Sequence, residues 1–255
     1  MTMEYWILVA GFFLIALVYS SVGFGGGSSY LALLSLPVFA LTPEVLRPTA
    51  LLCNIAVVAG SSWLFVTRYR IALKKWLPYV VLSVPCAFIG GMWPLTELVF
   101  YLLLSSSLIL SSIILWMGSP FHKDDEISEG SSLGKYILGG GIGFLSGLVS
   151  IGGGIFLSPV LHHLRWERAG VISGIASIFI LVNSIAGLTG QFMSGAESLD
   201  LGFIIPILTA VIIGGQIGSR LGSKRFNAEI IRKVTSVIVL IAALTILQSR
   251  FDIVS

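Results

Sequence analysis

Two short stretches of this sequence suit a site where backbone, not side chains, does the binding. Val22-Gly23-Phe24-Gly25-Gly26-Gly27-Ser28-Ser29 lies between two apolar runs near the N-terminus. Ser150-Ile151-Gly152-Gly153-Gly154-Ile155 lies between two more, just past the middle. A glycine inside a helix costs ~1 kcal/mol against alanine. Three in a row therefore mark a place where the chain unwinds, or where another segment or a ligand comes close. Helices resuming at Ser28 and Ile155 would present free N–H groups and the positive ends of their dipoles, which attract an anion. The competing reading is that these glycines only let helices pack closely. Three consecutive glycines exceed what such a contact needs. A dinucleotide loop does not fit, because no strand precedes the glycines and no acid follows at the right distance.

A few polar side chains stand out against the apolar background. Asn54 and Asn183 each fall in the middle of an apolar segment, where a polar residue is expensive unless turned inward. They line a path or hydrogen-bond a neighbouring helix; their matched positions favour the path. Arg47 falls one turn into its segment, just before Pro48. It either attracts anions at an outer vestibule or snorkels at the surface. Gln191 and Gln216 are weaker candidates. Ser28 could serve as the nucleophile of an intramembrane protease, but His122, His162 and His163 all sit in loops or at their edges, so no base is placed for it. No enzyme is expected, and neither a metal site nor a cofactor motif is evident.

The elements that must position these residues follow from composition. Of 255 residues, 56% are hydrophobic and 11% charged, where a soluble domain carries about 25% charged. The chain is expected to be an all-α polytopic membrane protein. Its net charge of +3 reflects loop lysines and arginines and no nucleic-acid surface. Cys53 and Cys86 read as small buried hydrophobes. The start, Met1-Thr2-Met3-Glu4, lacks the basic region of a signal peptide, so the first apolar run is expected to be retained.

Ten apolar segments follow, at about 5–21, 29–41, 43–66, 76–93, 98–117, 135–150, 155–164, 169–192, 201–221 and 230–247. Thr42-Pro43-Glu44 has the makings of a helix start, with Thr as N-cap and Pro at the first helical position. The second and seventh segments are too short for a span, which takes about 20 residues. They are either short spans or half-helices, each forming a re-entrant hairpin with the segment before it, and the parity of crossings is the same in both cases. A polar stretch containing Lys123-Asp124-Asp125-Glu126 divides the chain. The expected organisation is a first transmembrane repeat at 1–118, a cytoplasmic linker at 119–134 and a second repeat at 135–255.

The halves share landmarks at one offset. Gly25 and Gly152 are 127 apart, Asn54 and Asn183 129, Pro78 and Pro206 128, and Gly90 and Gly218 128. One spacing held across the whole chain is stronger than any single motif. Five segments per half is an odd number, so the second half is expected to insert upside down. If the loop at Arg68–Lys75 is cytoplasmic, thirteen of the fifteen Lys and Arg fall on that side, leaving Arg47 and Arg250. The positive-inside rule then puts both termini outside.

The two halves, each with a Gly-Gly-Gly loop, a short segment and a mid-helix Asn, resemble the sulfite exporter TauE/SafE family of small bacterial membrane carriers. The resemblance rests on Ser20–Ser61 with Pro78–Gly91, and on Gly143–Gly190 with Pro206–Gly222. It implies a multi-pass protein of the bacterial cytoplasmic membrane that moves sulfite or organosulfonates. This agrees with the helix-end anion site read from the residues, whose expected substrate contacts are Gly25, Gly26, Gly27, Ser28, Ser29, Asn54, Gly152, Gly153, Gly154, Asn183 and Arg47. The second half has Ile155-Phe156 where the first has Ser28-Ser29, so hydroxyls at those positions come from one half only. The expected partners are a small anionic substrate and the lipid bilayer, with stoichiometry left open. A passive anion channel or a non-transporting assembly protein is the alternative. With no nucleotide-binding domain, a driving force would be an ion, proton or substrate gradient, and no mid-segment carboxylate stands ready to relay protons.

The charge partition yields a test. With Cys53 and Cys86 removed, a cysteine at Thr2 should react with a membrane-impermeant thiol reagent in intact cells, and one at Asp125 should not. Labelling at Asp125 alone would reverse the orientation, and equal labelling at both would remove the odd number of crossings.

Overall fold

The computed structural model describes residues 3–21, 23–39, 41–117, 132–164, 166, 167, 169–195, 199–222 and parts of 233–248. Its elements are α1 (Met3–Ser20), α2 (Gly27–Leu34), a 3-10 turn (Pro37–Phe39), α3 (Pro43–Tyr69), α4 (Leu73–Met92), α5 (Glu97–Met117), α6 (Ser132–Val149), α7 (Gly154–His163), α8 (Ala169–Met193) and α9 (Leu201–Gly222). Among the described residues there is no strand. Six of these helices are long and apolar enough to cross a membrane. Their outer faces carry Trp6, Leu14, Trp63, Ile89, Leu110 and Ile212, all exposed, as suits a surface solvated by lipid. The protein is an all-α, multi-pass membrane protein.

The tenth expected segment and the linker at 119–134 lie largely outside the described residues. Of the former, 239–241 and 243–248 are helical, and Val239, Ala243 and Ile246 are buried in the main core. Ser112 on α5 and Ser236 exchange hydrogen bonds through their hydroxyls and carbonyls at 2.9 Å, which ties this segment to α5.

The helix following each glycine loop is short. α2 has 8 residues and α7 has 10, or roughly 12 and 15 Å at 1.5 Å per residue. Against a hydrocarbon core of about 30 Å, neither spans. α2 also stops earlier than its apolar run, which continues to Leu41. The residue before a proline is driven out of the helical region, and Leu36-Pro37 converts the chain to a 3-10 turn there. Thr42 is the N-cap of α3, with Pro43 in the first turn as expected, but its side chain makes no cap hydrogen bond. Pro43 meets the same need by having no N–H to satisfy.

Small residues set the packing. Gly139, Gly143 and Gly147 recur every four residues on α6, facing Tyr79, Ser83 and Ala87, which recur every four on α4. Backbones thus approach closely along the whole α4–α6 contact, the small-xxx-small arrangement of membrane helices. Gly214 and Gly218 on α9 do the same against Phe13 and Leu17 of α1. α4 packs on α6 and α8, α9 packs on α1 and α3, and α3 packs on α8. Each half's fourth helix therefore lies against the other half's first and third.

This packing has no slack for a larger side chain. A Cβ at Gly143 would stand 2.7 Å from Ser83 Cα. Gly143→Val should push α4 from α6 and sharply reduce monodisperse protein recovered in detergent, overpacking alone costing about 1–3 kcal/mol. Gly141→Val, where a Cβ meets nothing within 4 Å, should purify and melt like the parent.

Candidate functional site

The two glycine loops meet, and Asn54 is where they meet. Asn54 is fully buried on α3, and its Nδ2 donates to Ile151 O of the second loop at 3.0 Å. Cβ atoms placed at Gly25 and Gly27 of the first loop would both collide with its amide. One placed at Gly152 would stand 2.8 Å from its Nδ2, and one at Gly27 would stand 2.5 Å from Ile151 O. So Gly25, Gly27, Asn54, Ile151 and Gly152 form a single contact, far apart in sequence and closed by glycines on both sides. The absence of side chains is what lets the backbones come this close.

Each loop ends the same way. Gly26 caps α2 with φ 87°, and Gly153, with φ 81°, accepts from Phe156 N and Leu157 N at the start of α7. This left-handed backbone is one that L side chains rarely adopt. It turns an unwound segment into a helix start, leaving the first N–H groups without helical partners. On α2 these belong to Gly27, Ser28 and Ser29, with no side chain capping them. Both loops thus end in helix starts in the buried interior, and at α2 no side chain caps the first N–H groups. That arrangement favours negative charge.

The remaining candidates are distributed around this point. Ser29 Oγ and Tyr19 Oη share a hydrogen bond of 2.6 Å, and Ser28 is buried beside it. Asn183 is fully buried on α8, and neither of its amide atoms has a hydrogen-bond partner among the described residues. Arg47 sits apart from Gly25–Gly27. It is half-buried, its Nε 3.4 Å from Ser150 Oγ and one terminal nitrogen 3.3 Å from Gly91 O and 3.5 Å from Gly147 O. Phe100 lies beneath the guanidinium, 5.9 Å away. Arg47 and Asn54 are two helical turns apart on one face of α3, and both reach the second loop at consecutive residues. The hydrogen bonds of Arg47 all go to neutral oxygens, and the carboxylate of Glu44, one turn away on α3, acts on its charge.

Three serines escaped the sequence reading, and Gln191, a weaker candidate there, bonds one of them. Gln191 Nε2 donates to Ser150 Oγ at 2.8 Å, and Ser150 itself has left-handed backbone, φ 61°. Ser146 and Ser184 border the second loop through α6 and α8. Serines are common in membrane helices, so only their adjacency to Ser150 and Asn183 could have drawn attention. Gln216, by contrast, packs against Gly60, away from the loops.

The sequence model of the sulfite exporter TauE/SafE family matches residues 7–246. The chain belongs to the TauE/SafE family. A probable membrane transporter protein of Sinorhizobium fredii is 32% identical over 244 residues, covering 94% of this chain and 97% of that one. One of Bacillus subtilis is 23% identical over 98% of this chain and 100% of its own. One of Methanocaldococcus jannaschii is 35% identical over 43% of this chain and 42% of its own. No solved structure matches. The TauE/SafE match runs through both glycine loops and through Arg47, Asn54 and Asn183.

Asn54→Leu should strip the second loop of its tether. It leaves Ile151 O buried without this donor, which costs about 1–3 kcal/mol. A lowered melting temperature of purified protein is the expected result, and a melting temperature equal to the parent's would show that the loop holds without Asn54.

Proposed function

We propose that this protein is a membrane carrier that moves a small sulfur-containing anion, of the sulfite or organosulfonate class, across the bacterial cytoplasmic membrane. The anion is held between the two glycine loops by backbone N–H groups at the starts of α2 and α7. One observation carries this reading: the two glycine loops that lead into α2 and α7 meet at Asn54 in the buried interior. Broken helices paired across two halves are where membrane carriers bind their substrates. The sulfur-containing class is taken from the family, and the names of its relatives support transport.

The halves are proposed to insert with opposite orientation. The exchange of partners, α4 against α6 and α9 against α1, supports this, as does the single offset of the matched residues. Rocking of one half against the other would then expose the site to each side in turn. Arg47 supplies fixed positive charge beside the second loop, where it favours anions entering the site.

Transport by purified protein in liposomes tests the proposal. Sulfite or a small sulfonate should accumulate against its gradient when a coupling gradient is imposed; equilibration alone would make the protein a channel. Gly26→Val and Gly153→Val place a branched side chain on left-handed backbone and into the loops. They should abolish transport per folded molecule and anion-dependent thermal stabilisation. Full stabilisation in both variants would make the loops packing elements.

A further inference from the structure

The polar groups around the two loops are satisfied to different degrees. Beside the first loop, Tyr19 and Ser29 bond each other, and Ser21 Oγ donates to Val18 O at 2.6 Å. Tyr30 Oη is left without a partner there, its ring stacked on Phe12 at 4.6 Å. Beside the second loop the situation is reversed. Ser184 Oγ stands 3.1 Å from where a Cβ of Gly152 would be, and Ser146 Cβ stands 3.2 Å from that of Gly153. Asn183 adjoins Ser184 and lies one turn beyond Phe179 and Ile180, which face Gly152, Gly153 and Gly154. Ser146, Asn183 and Ser184 are all fully buried. Ser146 Oγ, Ser184 Oγ and both Asn183 amide atoms lack a hydrogen-bond partner among the described residues.

Native proteins leave few buried polar atoms unpaired, and a cluster of them beside an open helix end calls for a ligand. The matched asparagines point the same way. Asn54 commits one of its two Nδ2 hydrogens to Ile151 O, which fixes the amide, and its oxygen repels an anion. Asn183 has its Nδ2 free to donate. Ser146, Ser184 and the Nδ2 of Asn183 can each offer a proton to an acceptor, while Asn183 Oδ1 and Gln191 Oε1 are unpaired acceptors beside them.

We infer that the anion's side-chain contacts come from the second half. Ser184 and Asn183 of α8, with Ser146 of α6, form the donor wall beside Gly152–Gly154, while Asn54 is a strut. The ligand is an oxyanion such as a sulfonate, with several oxygens to share among these donors. The inference rests on the glycine loops being the anion site. It adds second-half hydroxyls at other positions to those of Ser28 and Ser29, which the second half replaces with Ile155 and Phe156.

The test uses thermal unfolding of the purified full-length protein, titrated with sodium methanesulfonate and, in parallel, sodium sulfite. Sodium chloride at matched ionic strength is the blank. Without anion, Ser184→Ala and Asn183→Leu should melt at or above the parent's temperature, since each removes an unpaired polar group. Their half-saturating anion concentration should rise about tenfold or more, as expected for a lost hydrogen bond to a charged group. Ser29→Ala breaks the Tyr19 contact; it should melt lower while keeping the parent's half-saturation. Parent-like half-saturation in Ser184→Ala and Asn183→Leu overturns the inference, as does an equal shift in Ser29→Ala. If Gly153→Val loses the anion response while those two keep it, the loop site stands and the donor wall alone falls. If Gly153→Val also responds like the parent, or the parent responds to neither anion, the site itself falls.

Discussion

Unwound backbone in the middle of a bilayer must find its hydrogen bonds inside the protein, and the Asn54 amide is where this chain meets that demand. Without water, an unpaired carbonyl or N–H costs several kcal/mol. Asn54 supplies a donor to Ile151 O while fitting against Gly25 and Gly27 of the other loop. One side chain thus joins two breaks that lie more than a hundred residues apart. The glycines make this possible, because a Cβ at any of three positions would collide with or crowd that amide.

Around this point the helices are drawn together by small residues. Hydrophobic burial gives little drive between helices already in lipid, so close backbone contact and dispersion take over. The stripe Gly139, Gly143, Gly147 against α4, and Gly214, Gly218 against α1, provide it. Because the contacting helices come from different halves, the same packing that stabilises the fold also fixes how the two loops face each other. Loops and scaffold are therefore held by one set of contacts.

The surroundings of the two loops are nonetheless unequal. Beside the first, Tyr19 and Ser29 bond each other, and the Tyr30 hydroxyl is without a partner among the described residues. The second has a cation, Arg47, resting on Ser150 and on the carbonyls of Gly91 and Gly147, and beside it Ser146, Asn183 and Ser184 have no hydrogen-bond partner among the described residues. Near-equivalent halves with unequal polar linings suit a carrier whose substrate is itself polar at one end.

Much of the architecture was legible in residues 1–255 because hydropathy and glycine runs act locally. An apolar run long enough to span must be a helix in lipid, and three glycines break it whatever lies nearby. Hence the segments, the two breaks and the short helices after them could be located from composition, save where Leu36-Pro37 cut α2 short. Asn54 and Asn183 looked alike because their types and positions match. Which of them is bonded depends on the rotation of α3 and α8 and on the reach of the opposite loop, and neither is written in the neighbouring residues. The same holds for Arg47, whose partners Gly91, Gly147 and Ser150 come from α4 and the end of α6. Ser146 and Ser184 were indistinguishable from other membrane serines until packing set them beside glycines with no side chain to cover them. Sequence determined where the chain must break; only tertiary packing decided which polar groups are left to answer the break, because hydrogen bonding is settled by proximity between helices that sequence spacing does not encode.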